Sequence, residues 1–523
     1  MLSANGAHAR DTTGARTLST TTDLVRALGQ LDSTMIVVGI LIGSGIFIVS
    51  AESARLVGAT GWLLVVWALA GLMTVTGSQC GAELAAMLPR AGGQYVFLRE
   101  AYGPGPGFLF GWALFLIIQT GKIAAVAVAC ASFSGVLSPW ISADHYIAEP
   151  IVVGGYAVSL STQQFVAIVV ILLLTAVNTR GLDVGKRIQN TLTVIKTAAF
   201  IAMIVLGLTV GWNRDGALWS SSWWNPTANG WTPQQARPGL EMTGAPALVL
   251  LIGLGMVGPL FAQSGWANVT FTGGEIRNPG RNLPRALVVG TTIVVTLYLL
   301  ANLAYAATLP LADIQYAPQN RVGTAMMQAI LETSGALVMA AIVISTFSCN
   351  NGLILAGARV YYAMARDGLF FSPAGTVNAR HVPAVALLTQ GVWASLLILP
   401  RTVRADSAGS IVYGNIYTQL LEYIISTELV FYALMIGAVI VLRRRRPAAD
   451  RPYRTIGYPV TPLIYISIAL LLVVDLAYLA PATSGMGFLL VVSGIPVYLV
   501  RRRGAARRSQ TGGAVTPRTP VGE

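Results

Sequence analysis

The sequence predicts an all-α membrane protein of about twelve transmembrane helices, arranged as a 5+5 inverted repeat with helices 1 and 6 broken and two extra helices at the end. Three observations predict it. Of 523 residues, 54% are hydrophobic and only 11% charged, at a mean hydropathy of +0.65, a balance that belongs to integral membrane proteins. Twelve stretches reach the roughly 17 apolar residues that a helix needs to cross hydrocarbon. The first and sixth are interrupted near their middles by glycine, serine or proline, which lipid tolerates only where the freed backbone lines a cavity or holds a ligand.

Residues 37–49 read VVGILIGSGIFIV, an apolar run cut at Gly43, Ser44 and Gly45. N–H groups released at Gly43, Ser44, Gly45 and Ile46 would lie at the positive end of the half-helix that follows, where an anion such as an amino-acid carboxylate fits. A phosphate loop is excluded, because Ile46 and Phe47 stand where its Lys-Ser or Lys-Thr would be. A small-residue packing seam through Gly39 and Gly43, four residues apart, is the competing account. Residues 253–271, GLGMVGPLFAQSGWANVTF, repeat the oddity. Gly258-Pro259 and then Ser264-Gly265 interrupt them, so this span too is expected to unwind near mid-membrane. Spans one and six are five apart. Five is odd, so two five-span units enter the membrane in opposite senses, as inverted repeats do.

In chain order the expected spans are 33–54, 60–87, 106–138, 162–180, 189–212, 245–273, 284–310, 333–365, 382–400, 413–442, 458–480 and 484–501. The membrane domain is 31–503, with repeats at 31–212 and 245–442 and the last two helices in 458–503. Residues 1–30 and 504–523 are expected as cytoplasmic tails. With the N-terminus inside, 26 lysines and arginines fall on cytoplasmic segments and six outside, while Lys122 and Lys196 lie within spans. That bias puts both termini on the cytoplasmic side of a cell membrane. The net charge of +13 is therefore a topology signal and not a nucleic-acid surface, and the cluster from Arg443 to Arg446 is an anchor toward anionic headgroups. No cleavable signal precedes the first span. Cys80, Cys130 and Cys349 lie in apolar stretches without metal-like spacing. His8, His145 and His381 fall outside the spans, and no Ser/His/Asp or metal-spaced set occurs within them. Neither an enzyme, a metal nor a cofactor is expected, and a pore is disfavoured because the interruptions suggest occlusion and not a ring.

Five motifs in order carry a family resemblance. Ile42-Gly43-Ser44-Gly45-Ile46-Phe47 is followed by Ala82-Glu83-Leu84 with Pro89-Arg90-Ala91-Gly92-Gly93-Gln94-Tyr95. Gly265-Trp266 precedes Glu275-Ile276-Arg277-Asn278-Pro279-Gly280-Arg281-Asn282-Leu283-Pro284-Arg285-Ala286. Ser345-Thr346-Phe347, Asn351-Gly352 and Ala365-Arg366-Asp367-Gly368 come next, then Gly487-Phe488 and Ser493-Gly494-Ile495-Pro496-Val497-Tyr498. From about 31 to 503 the chain resembles the L-type amino acid transporter group of the APC superfamily, whose LeuT-like fold matches the pattern above. The resemblance implies a substrate α-carboxylate at the backbone of Ile42, Gly43, Ser44, Gly45 and Ile46. It implies an α-amino group at the carbonyls of Phe261, Ala262, Gln263 and Ser264, with Trp266 and Phe261 shaping the pocket or its gates. Some members are joined to a glycoprotein heavy chain through a cysteine between helices 3 and 4. Residues 137–162 hold no cysteine, so no disulfide-linked partner is expected.

Charges inside the membrane are functional candidates by default. Lys196 resembles the family's fifth-helix lysine, whose ammonium stands where sodium-coupled relatives hold sodium. It would tie the carbonyls of the broken first helix to helix 8 through Ser345 or Ser348. It also lies about seven residues, ~10 Å, from the end of its expected span, so snorkelling is the plainer account. Lys122 is ~22 Å into the third span, beyond snorkelling reach, and aligns with a small pocket-lining residue of the family. Glu428 in the tenth span aligns with a pocket neighbour. Three readings stay open: a Lys122–Glu428 ion pair that satisfies both, Lys122 reading a carboxylate on the substrate side chain, or Glu428 favouring cationic substrates. Glu83 and Glu275 are expected in gate or helix-end ion pairs with Arg90, Arg281 and Arg285 and not in a proton relay. The expected function is secondary active transport of neutral amino acids by alternating access, through sodium-independent exchange or proton coupling. A cationic amino acid or polyamine antiporter and a non-transporting sensor are the alternatives.

Overall fold

The computed structural model describes residues 24–153, 155–331, 335–405, 411–414 and 416–511. Most of the expected N-terminal tail, and the C-terminal tail from 512, lie outside the described residues. The chain opens with α1 (Gln30–Leu41) and α2 (Gly45–Val57), bent by 41° at the Gly43 break. Gly58, at φ 68, ends α2 in the left-handed region where a side chain would be strained. Then come α3 (Thr60–Met87), the short α4 (Gln94–Tyr102) and a single span, Pro104–Leu137, made of α5 (Pro104–Ala113), a π turn at Leu114–Ile118 and α6 (Gln119–Leu137). After a hairpin, α7 (Thr162–Thr179) starts on a capping box, in which Ser161 Oγ accepts from Gln164 N and Ser161 N donates to Gln164 Oε1. The first half closes with α8 (Leu182–Thr209).

The second half begins after the short α9 (Pro233–Ala236). It holds α10 (Gly244–Gly255), α11 (Val257–Ala262), α12 (Pro279–Thr308), the short α13 (Leu311–Gln315) and α14 (Val322–Ile330), then α15 (Gly335–Arg366) and α16 (Ala384–Leu396). The remaining helices are α17 (Ile416–Arg445), α18 (Val460–Leu479), α19 (Pro481–Val492) and α20 (Gly494–Thr511). Among the described residues ten helices are long and apolar enough to cross a membrane, eleven with the bent α1–α2 pair. The ninth expected span, 382–400, is only the 13-residue α16, and its last residue already begins a strand.

Burial sorts the spans into centre and rim. Of the Pro104–Leu137 window 94% is buried, against 33% for α8 and α18, so the third span runs through the middle of the bundle. Leu172 and Leu173 on α7 and Leu470, Leu471 and Val474 on α18 are exposed, as lipid-facing residues are.

Strands were not among the expectations. β1 (Tyr146–Val153), β2 (Tyr156–Ser161), β3 (Pro400–Ala405) and β4 (Ile411–Tyr413) form one antiparallel sheet in that order. It joins the α6–α7 and α16–α17 connections over one end of the bundle. A second difference bears on the site. The fifth span, expected at 189–212, belongs to a helix that starts at Leu182, and Lys196 on it is 1% exposed, its ammonium held by the carbonyls of Gly39, Ile42 and Ser345. Snorkelling is thereby overturned.

Candidate functional site

A helix that stops in mid-membrane leaves its last carbonyls without partners. At the end of α1 each one is taken. Val38 O accepts from Ile42 N at 2.9 Å, and Ile40 O from Cys349 Sγ at 3.0 Å. Leu41 O accepts from Tyr298 Oη at 2.5 Å and Gly43 N at 2.8 Å. Gly39 O and Ile42 O accept from Lys196 Nζ at 2.5 and 2.7 Å, and the same ammonium donates to Ser345 O at 3.3 Å. Ser345 Oγ adds a bond to Ile42 O at 3.2 Å. One buried cation thus joins α1, α8 and α15. Ser348, the other expected partner, is not brought to it; its Oγ is buried without a hydrogen-bond partner.

The second break is narrower than expected. Gly258-Pro259 does not interrupt the chain, because α10 and α11 follow one another with a single turn residue at Met256. The carbonyl that Pro259 cannot reach, Gly255 O, accepts instead from Ser53 Oγ of α2 at 2.8 Å. Unwinding starts after Ala262. Ser264 N and Oγ both donate to Phe261 O, at 3.0 and 2.8 Å, and Gly265 turns at φ 95 into a 3-10 segment, Trp266–Phe271. Trp266 stacks on Tyr432 at 5.1 Å between ring centroids.

The two breaks face each other. Ile40, Gly43, Ser44, Gly45 and Lys122 share with Phe261, Ala262 and Ser264 the wall of a cavity of about 20 Å³, room for one water-sized group. Ile42 and Ile46 are fully buried beside it. A larger ligand requires α2 and α11 to part. Gly45 lets them close: a Cβ there would lie 2.5 Å from Ala262 Cβ and 2.8 Å from Ala262 Cα. Overpacking of this kind costs about 1–3 kcal/mol. Gly45→Ala is therefore expected to lower the maximal uptake rate in proteoliposomes by roughly tenfold or more, whereas Gly485→Ala, with nothing within 4 Å, leaves it unchanged.

Lys122 and Glu428 meet as an ion pair, Nζ to Oε1 at 2.5 Å, with side chains 3% and 7% exposed. The π turn at Leu114–Ile118 directly precedes the α6 segment that carries Lys122, a common setting for a helix residue re-aimed at a site.

Glu275 and Glu83 are in ion pairs, but with other partners than expected. Glu275 binds Arg359 of α15 through both oxygens, at 2.9 and 3.0 Å, and neither residue is more than 1% exposed. Glu83 binds Arg443 at 2.8 and 2.7 Å, with Arg451 at 3.6 Å and Thr455 N at 2.7 Å. Asp367 completes the set, held by Tyr95 Oη at 2.7 Å and by Arg99. Toward the opposite end, α2, α10 and α11 line a cavity of about 900 Å³ with Glu52, Arg55, Trp231 and Arg237 on its walls. Tyr298 escaped the sequence reading, which places Cys349 only in an apolar stretch and Arg359 only among the cytoplasmic positive charges. An arginine inside the apolar run of α15 was the one signal available for the last.

Among the described residues no group of three or more His, Cys, Asp or Glu is placed to hold a metal. The architecture is that of a polytopic carrier, with two broken helices meeting at a small central cavity, charge pairs toward one end and a wide vestibule toward the other. The chain belongs to the amino acid permease family, whose model, described as "Amino acid permease", matches residues 28–499. It is similar to the b(0,+)-type amino acid transporter 1 of Homo sapiens, 28% identical over 435 residues that cover 83% of this chain and 79% of that protein. It is also similar to the large neutral amino acids transporter small subunit 2 of Mus musculus, 26% identical over 477 residues that cover 91% and 81%. The chain is an amino acid transporter of a membrane-spanning family, not an enzyme.

Proposed function

We propose that the protein moves free neutral amino acids by alternating access, without sodium, as an exchanger or a proton-coupled carrier. The α-carboxylate sits at Ile42, Gly43, Ser44, Gly45 and Ile46, where α2 begins, and the α-amino group at the carbonyls of Phe261, Ala262, Gln263 and Ser264. The observation that carries this reading is Lys196: its ammonium fills the space between the end of α1 and α15, so a fixed cation stands where a coupling ion would otherwise be needed. The buried Lys122–Glu428 pair carries no net charge, which suits uncharged substrates.

The lysine and arginine bias supports cytoplasmic termini. The ends holding the Glu275 and Glu83 pairs then face the cytoplasm, and the 900 Å³ vestibule faces outward. In this reading 31–212 and 245–442 are the inverted repeats. The mouse relative is named a small subunit, but no disulfide-linked partner is proposed for this chain, because 137–162 lacks cysteine and Cys80, Cys130 and Cys349 are buried.

The test is uptake of labelled alanine or leucine by purified protein in sodium-free liposomes, empty or preloaded with amino acids, with and without a pH gradient. Uptake only into preloaded vesicles is the exchanger result. Uptake into empty vesicles driven by the gradient is the proton-coupled result. Arginine or putrescine taken up in place of neutral substrates would establish a cationic antiporter, and binding without flux a sensor; either overturns the reading.

A further inference from the structure

Three buried polar atoms beside the central cavity have no hydrogen-bond partner: Gln263 Oε1, Gln263 Nε2 and Glu428 Oε2. Their residues are 1% and 5% exposed. Such atoms lose water on folding and gain nothing in return, so they mark a place where a partner of matching chemistry is missing. All three belong to residues that line one second cavity, again of about 20 Å³, together with Thr74, Ser264, Trp266 and Tyr432. Two other polar groups on that wall are already engaged, Thr74 Oγ1 donating to Ala70 O and Ser264 Oγ to Phe261 O, while Tyr432 Oη accepts from Gly265 N and keeps its own O–H on the Glu428 side. Ser264 lines both cavities, and the Lys122–Glu428 pair spans from one to the other.

We infer that this second cavity is the side-chain subsite, and that Glu428 Oε2 and Gln263 select uncharged amino acids whose side chains carry a hydroxyl or a carboxamide. The inference rests on the placement of the substrate backbone given above. A substrate O–H or N–H donates to Glu428 Oε2, and the substrate oxygen accepts from Gln263 Nε2. Aliphatic side chains of the same size leave both groups unpaired, which is how a polar site rejects an apolar isostere. Charged side chains are excluded by a different cause. Glu428 Oε1 is already neutralised by Lys122, so an incoming ammonium or carboxylate must disrupt that pair or remain an uncompensated buried charge.

The experiment is exchange of labelled alanine in proteoliposomes against unlabelled competitors. Threonine and valine are matched in shape and differ by the hydroxyl; glutamine, glutamate and lysine differ in charge. Threonine is expected to compete better than valine, and glutamine better than glutamate or lysine, by roughly tenfold or more in half-inhibitory concentration. In Gln263→Met the threonine-to-valine ratio falls toward one, whatever the absolute rate. Intact alanine exchange with valine equal to threonine, or with lysine or glutamate equal to glutamine, overturns the subsite alone. The wild-type ranking decides this even where the variant fails to fold. Absence of all alanine transport in the wild type, both by exchange and driven by a pH gradient, overturns the carrier reading and the subsite with it.

Discussion

Lys196→Ala is expected to abolish uptake while leaving a folded protein in the membrane. The ammonium donates to three carbonyls on two elements, Gly39 O and Ile42 O at the end of α1 and Ser345 O on α15. Hydrogen bonds from a charged donor are worth about 1.5–3 kcal/mol each. Removing them does not unravel α1, because Leu41 O, Ile40 O and Val38 O keep Tyr298, Cys349 and Ile42 as donors, and Ile42 O keeps Ser345 Oγ. What is lost is the tie that fixes the direction in which the half-helix ends, and with it the placement of the N–H groups at the start of α2. An offset of about 1 Å at a binding site costs roughly a hundredfold in rate, so exchange is expected to fall by at least that factor. Arginine does not rescue, since a planar fork cannot reproduce three convergent bonds from one nitrogen. Elution profile and melting temperature check the fold; exchange at the wild-type rate in Lys196→Ala sinks the role.

The site was legible in the sequence where a residue contradicts its surroundings. Gly43, Ser44 and Gly45 cut an apolar run, and Lys122, Lys196 and Glu428 are charges where hydrocarbon excludes them, so burial and pairing follow from physics before any fold is known. The Lys122–Glu428 contact, 306 residues apart, could be named because a buried charge demands a partner and the family resemblance sets both residues beside the pocket. Partners that have competitors close in the chain were misassigned. Arg281 and Arg285 lie within ten residues of Glu275, yet Arg359 holds it from 84 residues away, since contact follows helix packing and not sequence distance. Pro259 misled for a related reason. The bond it cannot make is replaced by one from Ser53 on another helix, so no break is needed. The sheet was invisible to a span-length reading: its strands have three to eight residues each, and β2 meets β3 across more than 200 residues of chain.

Breaking the Glu275–Arg359 pair is expected to produce the largest loss of stability. Both residues are essentially unexposed, and the pairing is bidentate, with Arg359 Nη1 also donating to Leu355 O. Removing one partner from such a pair leaves a bare charge in the interior and costs about 3–5 kcal/mol. Glu275→Ala and Arg359→Ala should each lower the melting temperature by several degrees and reduce uptake at 37 °C in step with the folded fraction. Removing both charges relieves the penalty, so Glu275→Gln with Arg359→Met should be more stable than Glu275→Gln or Arg359→Met alone, with a coupling energy of up to about 3 kcal/mol in that double-mutant cycle. The contrast is internal to the molecule. Arg99–Asp367 is an ion pair at the same end with side chains 23% and 33% exposed, where water already solvates both charges and the pair is worth about 0–1 kcal/mol. Asp367→Asn should therefore shift the midpoint far less. A midpoint for Arg359→Ala within about 2 °C of wild type, or one no lower than that of Asp367→Asn, would mean that water reaches Glu275 and that burial is not what makes this pair matter.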